Sequence, residues 1–215
     1  MKKIVLLAML SVASMSSAFA QVTMKGVVGL NSSNIANLGS KIGFHAGVNV
    51  DMPLPRLSEN VYGSVGALLS LKGCNQDYGE LASQKLNAYY LEVPVHLGYK
   101  HEVNDQLAIW GEAGPYVALG AFGKAKGKVI EDINGGMEEF SEDTFGDPGL
   151  KRFDFGAGFK IGVTFKEKYT CSIGYDWGFV DIYKGSSLDE DHDECIDLTP
   201  TAKNKNLSIS IGYIF

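Results

Sequence analysis

Lys41-Ile42-Gly43-Phe44-His45-Ala46-Gly47-Val48-Asn49-Val50-Asp51 decides how this chain folds. Successive side chains of an extended strand point to opposite faces. Ile42, Phe44, Ala46, Val48 and Val50 therefore share one face, and Lys41, Gly43, His45, Gly47, Asn49 and Asp51 share the other. A helical period would mix the two sets, so the segment reads as a strand. The same alternation returns at Lys151–Phe165, where Phe153, Phe155, Ala157, Phe159, Ile161, Val163 and Phe165 oppose Arg152, Asp154, Gly156, Gly158, Lys160, Gly162 and Thr164. Tyr169–Asp181 and Leu207–Phe215 repeat it, with aromatic and aliphatic residues on one face and Ser, Gly, Thr and Asp on the other.

Weaker versions occupy Val22–Asn31, Val61–Gly73, Leu86–Tyr99 and Gln106–Leu119, giving eight strands and little room for helix. The apolar faces are long and rich in aromatics, while the opposite faces carry glycine, serine and charge. Lipid outside and a tightly filled polar interior explain that pattern better than a soluble sandwich does. Connection lengths agree. Met52–Asn60, Lys100–Asp105 and Lys166–Lys168 are short; Cys74–Lys85, Gly120–Leu150 and Ile182–Lys205 are longer. Short turns on one side and long loops on the other is the asymmetry of membrane-spanning barrels, with the turns periplasmic and the loops extracellular. The expected fold is an all-β, eight-stranded, antiparallel up-and-down transmembrane barrel, too narrow for a wide aqueous channel. Pro94 and Pro115 fall inside proposed strands, which predicts local irregularity, with a bulge near Gly114 and Pro115. Trp110 lands on the polar face, which predicts a register break in its strand.

The first residues bear on the compartment. Lys2 and Lys3, the apolar run Ile4–Leu10 and the small residues of Ser16-Ser17-Ala18-Phe19-Ala20 make residues 1–20 a signal peptide and 21–215 the barrel domain. Its apolar run falls short of the ~20 residues that a spanning helix needs. Loss of Lys2 and Lys3, with no acidic residue leaving, takes the formal net charge from −6 to −8. So acidic a chain is no nucleic-acid binder, which would carry a basic patch.

Three motifs resemble one family. Tyr90-Leu91-Glu92-Val93-Pro94-Val95, Gly111-Glu112-Ala113-Gly114-Pro115-Tyr116-Val117 and Tyr175-Asp176-Trp177-Gly178-Phe179-Val180-Asp181-Ile182 are similar to strands of the small porin-like, or PorT-like, outer-membrane barrels common in Bacteroidetes. The aromatic-ended strand Leu207–Phe215 resembles the last strand that barrel assembly machinery recognises. The resemblance implies an outer-membrane location and makes both prolines family features. It implies no particular activity, because function lives in sites grafted on folds.

The inward faces should carry Lys41, His45, Lys72, Glu92, His96, Glu112, Arg152, Asp154, Lys160 and Asp176. Connectivity suggests that Glu92 and Glu112 lie at similar depth on neighbouring strands. Such a pair could do acid–base work, but the favoured reading is an interior salt-bridged network with Lys72, Arg152 or Lys160. No nucleophile motif stands beside His45, His96, His101 or His192, so no catalytic residue is expected and an enzyme is disfavoured. Asp189–Glu194 has the carboxylates of a calcium loop, but Glu194 replaces its glycine and Pro200 its bidentate Glu, so neither a metal site nor a cofactor is expected. Cys74 and Cys195 both fall in extracellular loops and are candidates for a disulfide. The expected partners are outer-membrane lipids, the assembly machinery at the C-terminal strand, and extracellular or envelope proteins that meet the long loops. A structural, surface-interaction or envelope-assembly role leads. A secreted lipocalin-like barrel with an apolar ligand inside is the alternative, and a lipid-modifying enzyme that depends on His45 or His96 is the third.

Overall fold

In the computed structural model, residues 22–35, 39–77, 82–130, 137–146, 149–182 and 202–215 are described. They form nine strands: β1 (Thr23–Ile35), β2 (Lys41–Pro53), β3 (Val61–Asp77), β4 (Ala82–Asn104), β5 (Leu107–Ile130), β6 (Met137–Asp143), β7 (Phe153–Phe165), β8 (Tyr169–Gly178) and β9 (Asn204–Ile214). Every pairing is antiparallel. The order β4-β3-β2-β1-β9-β8-β7-β5 is closed by pairing of β4 with β5, so eight strands make an up-and-down barrel. β6 stands outside the ring. It pairs with β5 only over Lys124–Ile130, above the stretch Leu107–Leu119 that pairs with β7.

Closure is tied to the two-residue side-chain period. Lys72 and Asp154 are fully buried (0 % exposed), whereas Ile161 is 58 % and Ile211 61 % exposed. This inversion of the ordinary inside–outside rule is what a lipid-facing barrel requires. Aromatics gather in two tiers on the outer surface. Tyr169, Tyr213 and Phe215 touch one another at the turn end. At the loop end Phe44, Tyr89 and Phe122 form one cluster, and Phe155 with Phe179 and Phe159 with Trp177 form others. From Phe155 to Phe165 on β7 the tiers stand about 25 Å apart for a strand tilted as membrane strands are, the height of an apolar band.

The turns explain the register. Lys166 (φ 50°) and Glu167 (φ 58°) both take the left-handed conformation, as a type I′ turn over Phe165–Lys168 demands in the three-residue connection between β7 and β8. The β4–β5 turn falls at Asp105-Gln106, where Asn104 Oδ1 accepts the backbone N–H groups of Gln106 (2.9 Å) and Leu107 (3.0 Å). β4 thus runs through Lys100–Asn104, expected as a turn, and places His101 in a strand.

Several expectations are corrected. Trp110 causes no register break: pairing of β5 with β7 is continuous from Leu107 to Leu119, and Trp110 simply points inward, 6 % exposed. Gly162 makes this possible, because a Cβ there would lie 2.7 Å from Trp110 Cε2. The prolines interrupt the ladder without shifting it. Pairings are missing opposite Pro94 on the β3 side and opposite Pro115 on the β4 side, but the register is the same above and below. One bulge lies higher, at Ala121, where Tyr89 pairs with Phe122 but Tyr90 with Gly120, and a second irregularity falls at Val103 beside the turn. Much of Cys74–Lys85 and Gly120–Leu150, expected as loops, is strand: β3, β4, β5 and β6 rise together above the barrel at the loop end. β8 stops at Gly178, short of the expected Asp181.

Candidate functional site

The interior is the place where charged side chains converge, and it divides into two centres. The upper one lies towards the loop end. Lys72 from β3 forms an ion pair with Glu92 from β4, and the faces of Tyr90 and Tyr116 stand 5.9 and 5.0 Å from the Lys72 ammonium. Tyr116 Oη donates to Asp154 Oδ2 at 3.2 Å, and Asn204 Nδ2 donates to the same oxygen at 2.7 Å. Asn206 links Asp176 to Asn31 through hydrogen bonds of 3.2 and 3.1 Å. An apolar lid covers this centre. Phe145 meets Tyr90 edge-on at 5.5 Å, and Ile35, Leu150, Ile182 and Ala202 complete a buried apolar cluster around it.

The lower centre gathers around Glu112 from β5. His96 Nδ1 lies 3.3 Å from Glu112 Oε1, Lys160 Nζ 3.7 Å from the same oxygen, and Lys25 Nζ 3.9 Å from Oε2. Tyr62 Oη donates to Glu112 Oε2 at 3.3 Å. Lys25 is shared with Asp51 at 2.9 Å, and its ammonium sits 4.9 Å from the Trp110 ring. A polar vestibule of about 220 Å³ opens below, lined by Lys25, Asp51, Tyr62, Lys100 and Trp110 among others. Between the two centres lies a space of about 40 Å³, room for a few waters.

Of the five network residues expected from the sequence, Lys72, Glu92, Glu112 and Lys160 all point into the barrel, and they join as two groups. Glu92 pairs in register with Ala118 and Glu112 with Gly98, so the carboxylates are six residues apart in depth, roughly 20 Å along the strands. They do not form an acid–base pair. Arg152 is in neither group. It precedes β7 at the rim, exposed, where its Nη1 donates to Gly120 O and Ala121 O at 3.0 Å each and its guanidinium lies 5.1 Å from the Phe145 ring. It closes the carbonyls freed by the bulge rather than neutralising a carboxylate. Lys41 is also at the rim: its ammonium donates to Leu86 O at 3.1 Å and to Asn87 Oδ1.

Two interior features escaped the sequence reading. Lys25 shows its place only when parity is extended along β1, where Lys25, Val27, Gly29 and Asn31 alternate with Met24, Gly26, Val28 and Leu30. The other is a serine beside a histidine: His45 Nε2 and Ser210 Oγ are 2.8 Å apart. The two are 165 positions apart in sequence, so no local motif could announce the pair. It lines the small space between the centres and joins β2 to β9 over the intervening β1. Cys74 is buried beneath the lid and Cys171 is exposed on the outer face. Cys195 and the acidic segment Asp189–Glu194 lie outside the described residues. Among the described residues no group of three His, Cys, Asp or Glu side chains is placed to hold a metal ion.

No curated protein matches the chain. Among solved structures it is similar to the Neisserial surface protein A, with 11 % identity over 90 % of this chain and 97 % of the other and a TM-score of 0.46. The outer membrane protein OprG from Pseudomonas aeruginosa matches at 13 % identity over 90 % and 94 %, TM-score 0.44. The attachment invasion locus protein Ail of Yersinia pestis matches at 12 % over 90 % and 97 %, TM-score 0.39. A family model matches residues 12–184, in keeping with the closed ring of strands: the chain belongs to the outer membrane protein beta-barrel domain family.

Proposed function

We propose that this barrel is a non-catalytic structural and surface-interaction component of the outer membrane, exported by cleavage of residues 1–20 and akin to the PorT-like proteins of envelope assembly. The observation that carries the reading is the filled interior. Two charged centres crossing the interior, an apolar cluster at the loop end and a space of about 40 Å³ between the centres support a barrel without a wide channel or a substrate cavity. What remains for function is the outside: the lipid face, the aromatic-ended strand β9 as the assembly signal, and the sheet that rises at the loop end as the surface for extracellular or envelope partners. A lipocalin-like carrier would need an apolar, empty cavity, and the cavity here is charged and packed. The three resemblance motifs place Tyr90, Pro94, Pro115 and Tyr116 around the upper centre and the ladder gaps, which supports kinship through the barrel's construction rather than through a site.

Outer-membrane fractionation with gel mobility of boiled and unboiled samples tests the reading. The expected result is co-fractionation with outer membranes and a mobility shift on heating, since a closed barrel resists detergent until boiled. A soluble protein without a shift would overturn it and favour the secreted carrier.

A further inference from the structure

The vestibule at the turn end keeps capacity that the lower centre does not use. Two aromatic rings form part of its wall, each seated on a glycine. A Cβ at Gly98 would lie 2.6 Å from Tyr62 Cε1, and one at Gly162 2.7 Å from Trp110 Cε2. Each ring thus takes room that a side chain would fill, and the space beside them is held open at about 220 Å³. That is below the ~300–1,000 Å³ of drug-sized pockets, so only a small molecule fits.

The floor carries spare donors. Lys25 is 5 % exposed, and its ammonium offers three N–H groups. One reaches Asp51 at 2.9 Å, whereas Glu112 at 3.9 Å lies beyond hydrogen-bond distance. Trp110 is 6 % exposed; its ring face meets Lys25, and its indole N–H has no acceptor among the described residues. Buried donors of both kinds normally find partners, because an unmade bond there costs free energy. The rim has the opposite character. Glu102 is held by Lys100 at 3.5 Å, but Glu59, exposed in the β2–β3 turn, has no ion pair among the described residues. From floor to rim the vestibule runs from unused donors to an unused carboxylate.

We infer that the vestibule binds small zwitterions of about dipeptide size. The carboxylate points inward to Lys25 and the Trp110 N–H, where its hydrogen bonds are charge-assisted. The ammonium points outward to Glu59, and an apolar C-terminal side chain lies against the Tyr62 and Trp110 rings. A simple anion has to pass Glu59 and Glu102, and a simple cation ends against Lys25; a molecule with both charges answers both ends. The site adds to the surface role proposed above and does not depend on it: the reading of the turns as periplasmic decides only where the ligand comes from.

The full mature chain is folded in detergent micelles with Trp177→Phe, which removes the lipid-facing tryptophan and leaves Trp110 as the sole reporter. Its fluorescence is followed while the dipeptide Ala-Leu is added over the millimolar range, in parallel with N-acetyl-Ala-Leu and Ala-Leu amide. Gel mobility of unboiled samples confirms that each variant is folded. The expected result is a saturable change with Ala-Leu and binding at least about tenfold weaker for either blocked form, the size of one lost charge-assisted contact. Glu59→Gln should weaken Ala-Leu about tenfold and leave the acetylated form unchanged, because that form has no ammonium to lose. Lys85→Gln at the loop end should change nothing. The inference would be overturned by the lack of a saturable change (water alone in the vestibule), by a blocked form that binds as tightly as Ala-Leu, or by an equal loss of the acetylated form in Glu59→Gln. Outer-membrane fractionation is unaffected by any of these outcomes, so this inference and the surface reading fall separately.

Discussion

The upper and lower centres are built from the same side-chain types, and they solve the problem of burying charge in opposite ways. In the upper one a single ammonium, Lys72, has its ion pair with Glu92, while Asp154 and Asp176 are held by neutral donors; an apolar lid lies above and tyrosine faces fill the remaining contacts. In the lower one Glu112 is shared among three cationic or protonatable neighbours and a tyrosine hydroxyl, and Lys25 is shared in turn with Asp51, beside a vestibule of about 220 Å³. A dehydrated pair has no substitute partner, and removal of one member strands the other. A shared charge has reserves. The lesson is that burial alone does not set the cost of losing a charge; the number of alternative partners does.

The sharpest way to break that comparison is Lys72→Met. The aliphatic volume stays, but Glu92 is left buried without a counter-charge, and the expected loss is about 3–5 kcal/mol of stability, read from urea unfolding in lipid vesicles. The double variant Lys72→Met/Glu92→Leu should recover most of it, because replacing both members of a buried pair by apolar groups is often close to neutral. A single-variant loss below about 1 kcal/mol would mean that water or another cation reaches Glu92, contrary to a sealed upper centre.

Glu112→Gln comes next. The amide keeps the shape and can still accept from Tyr62, while Lys25 retains Asp51 at 2.9 Å. The expected cost is about 2 kcal/mol, the worth of charged hydrogen bonds lost without full isolation of their partners. A loss as large as that of Lys72→Met would show that the lower centre is as unforgiving as the upper, and the contrast between them would collapse.

How far these centres could be read from the chain is instructive. The two-residue period put Lys72, Glu92, Glu112 and Lys160 inside, because parity along a strand needs no knowledge of its neighbours. Depth was another matter. A turn centred within Lys100–Asp105 sets Glu92 opposite Ala113, next to Glu112. The hairpin instead turns at Asp105-Gln106, fixed by the Asn104 side chain, and Glu92 moves opposite Ala118. A few residues of turn position separated one imagined carboxylate pair into two centres. Arg152 failed for a related reason: its parity is inward, but β7 begins one residue later, so its side chain ends at the rim on the bulge carbonyls. The eight-strand count, by contrast, survived errors in several loop boundaries, since each strand announces itself locally. His45 and Ser210 meet only through ring closure between the first and last strands, which no local pattern records.

The smallest effect is the most discriminating. Lys160→Met removes one of the cations near Glu112 and keeps the stem that packs against Gly174, where a Cβ would lie 2.7 Å from Lys160 Cγ. Lys25, His96 and Tyr62 remain in place around the carboxylate. The expected loss is under about 1 kcal/mol, close to that of a partly exposed ion pair. The cycle with Glu112→Gln sharpens the point. If Glu112 is shared, the double variant should lose little more than Glu112→Gln alone, because Lys160 has then already lost its main partner. Strict additivity of the two losses would mean that the Lys160 ammonium stabilises the barrel through groups other than Glu112, and the lower centre would reduce to Lys25, Asp51 and His96.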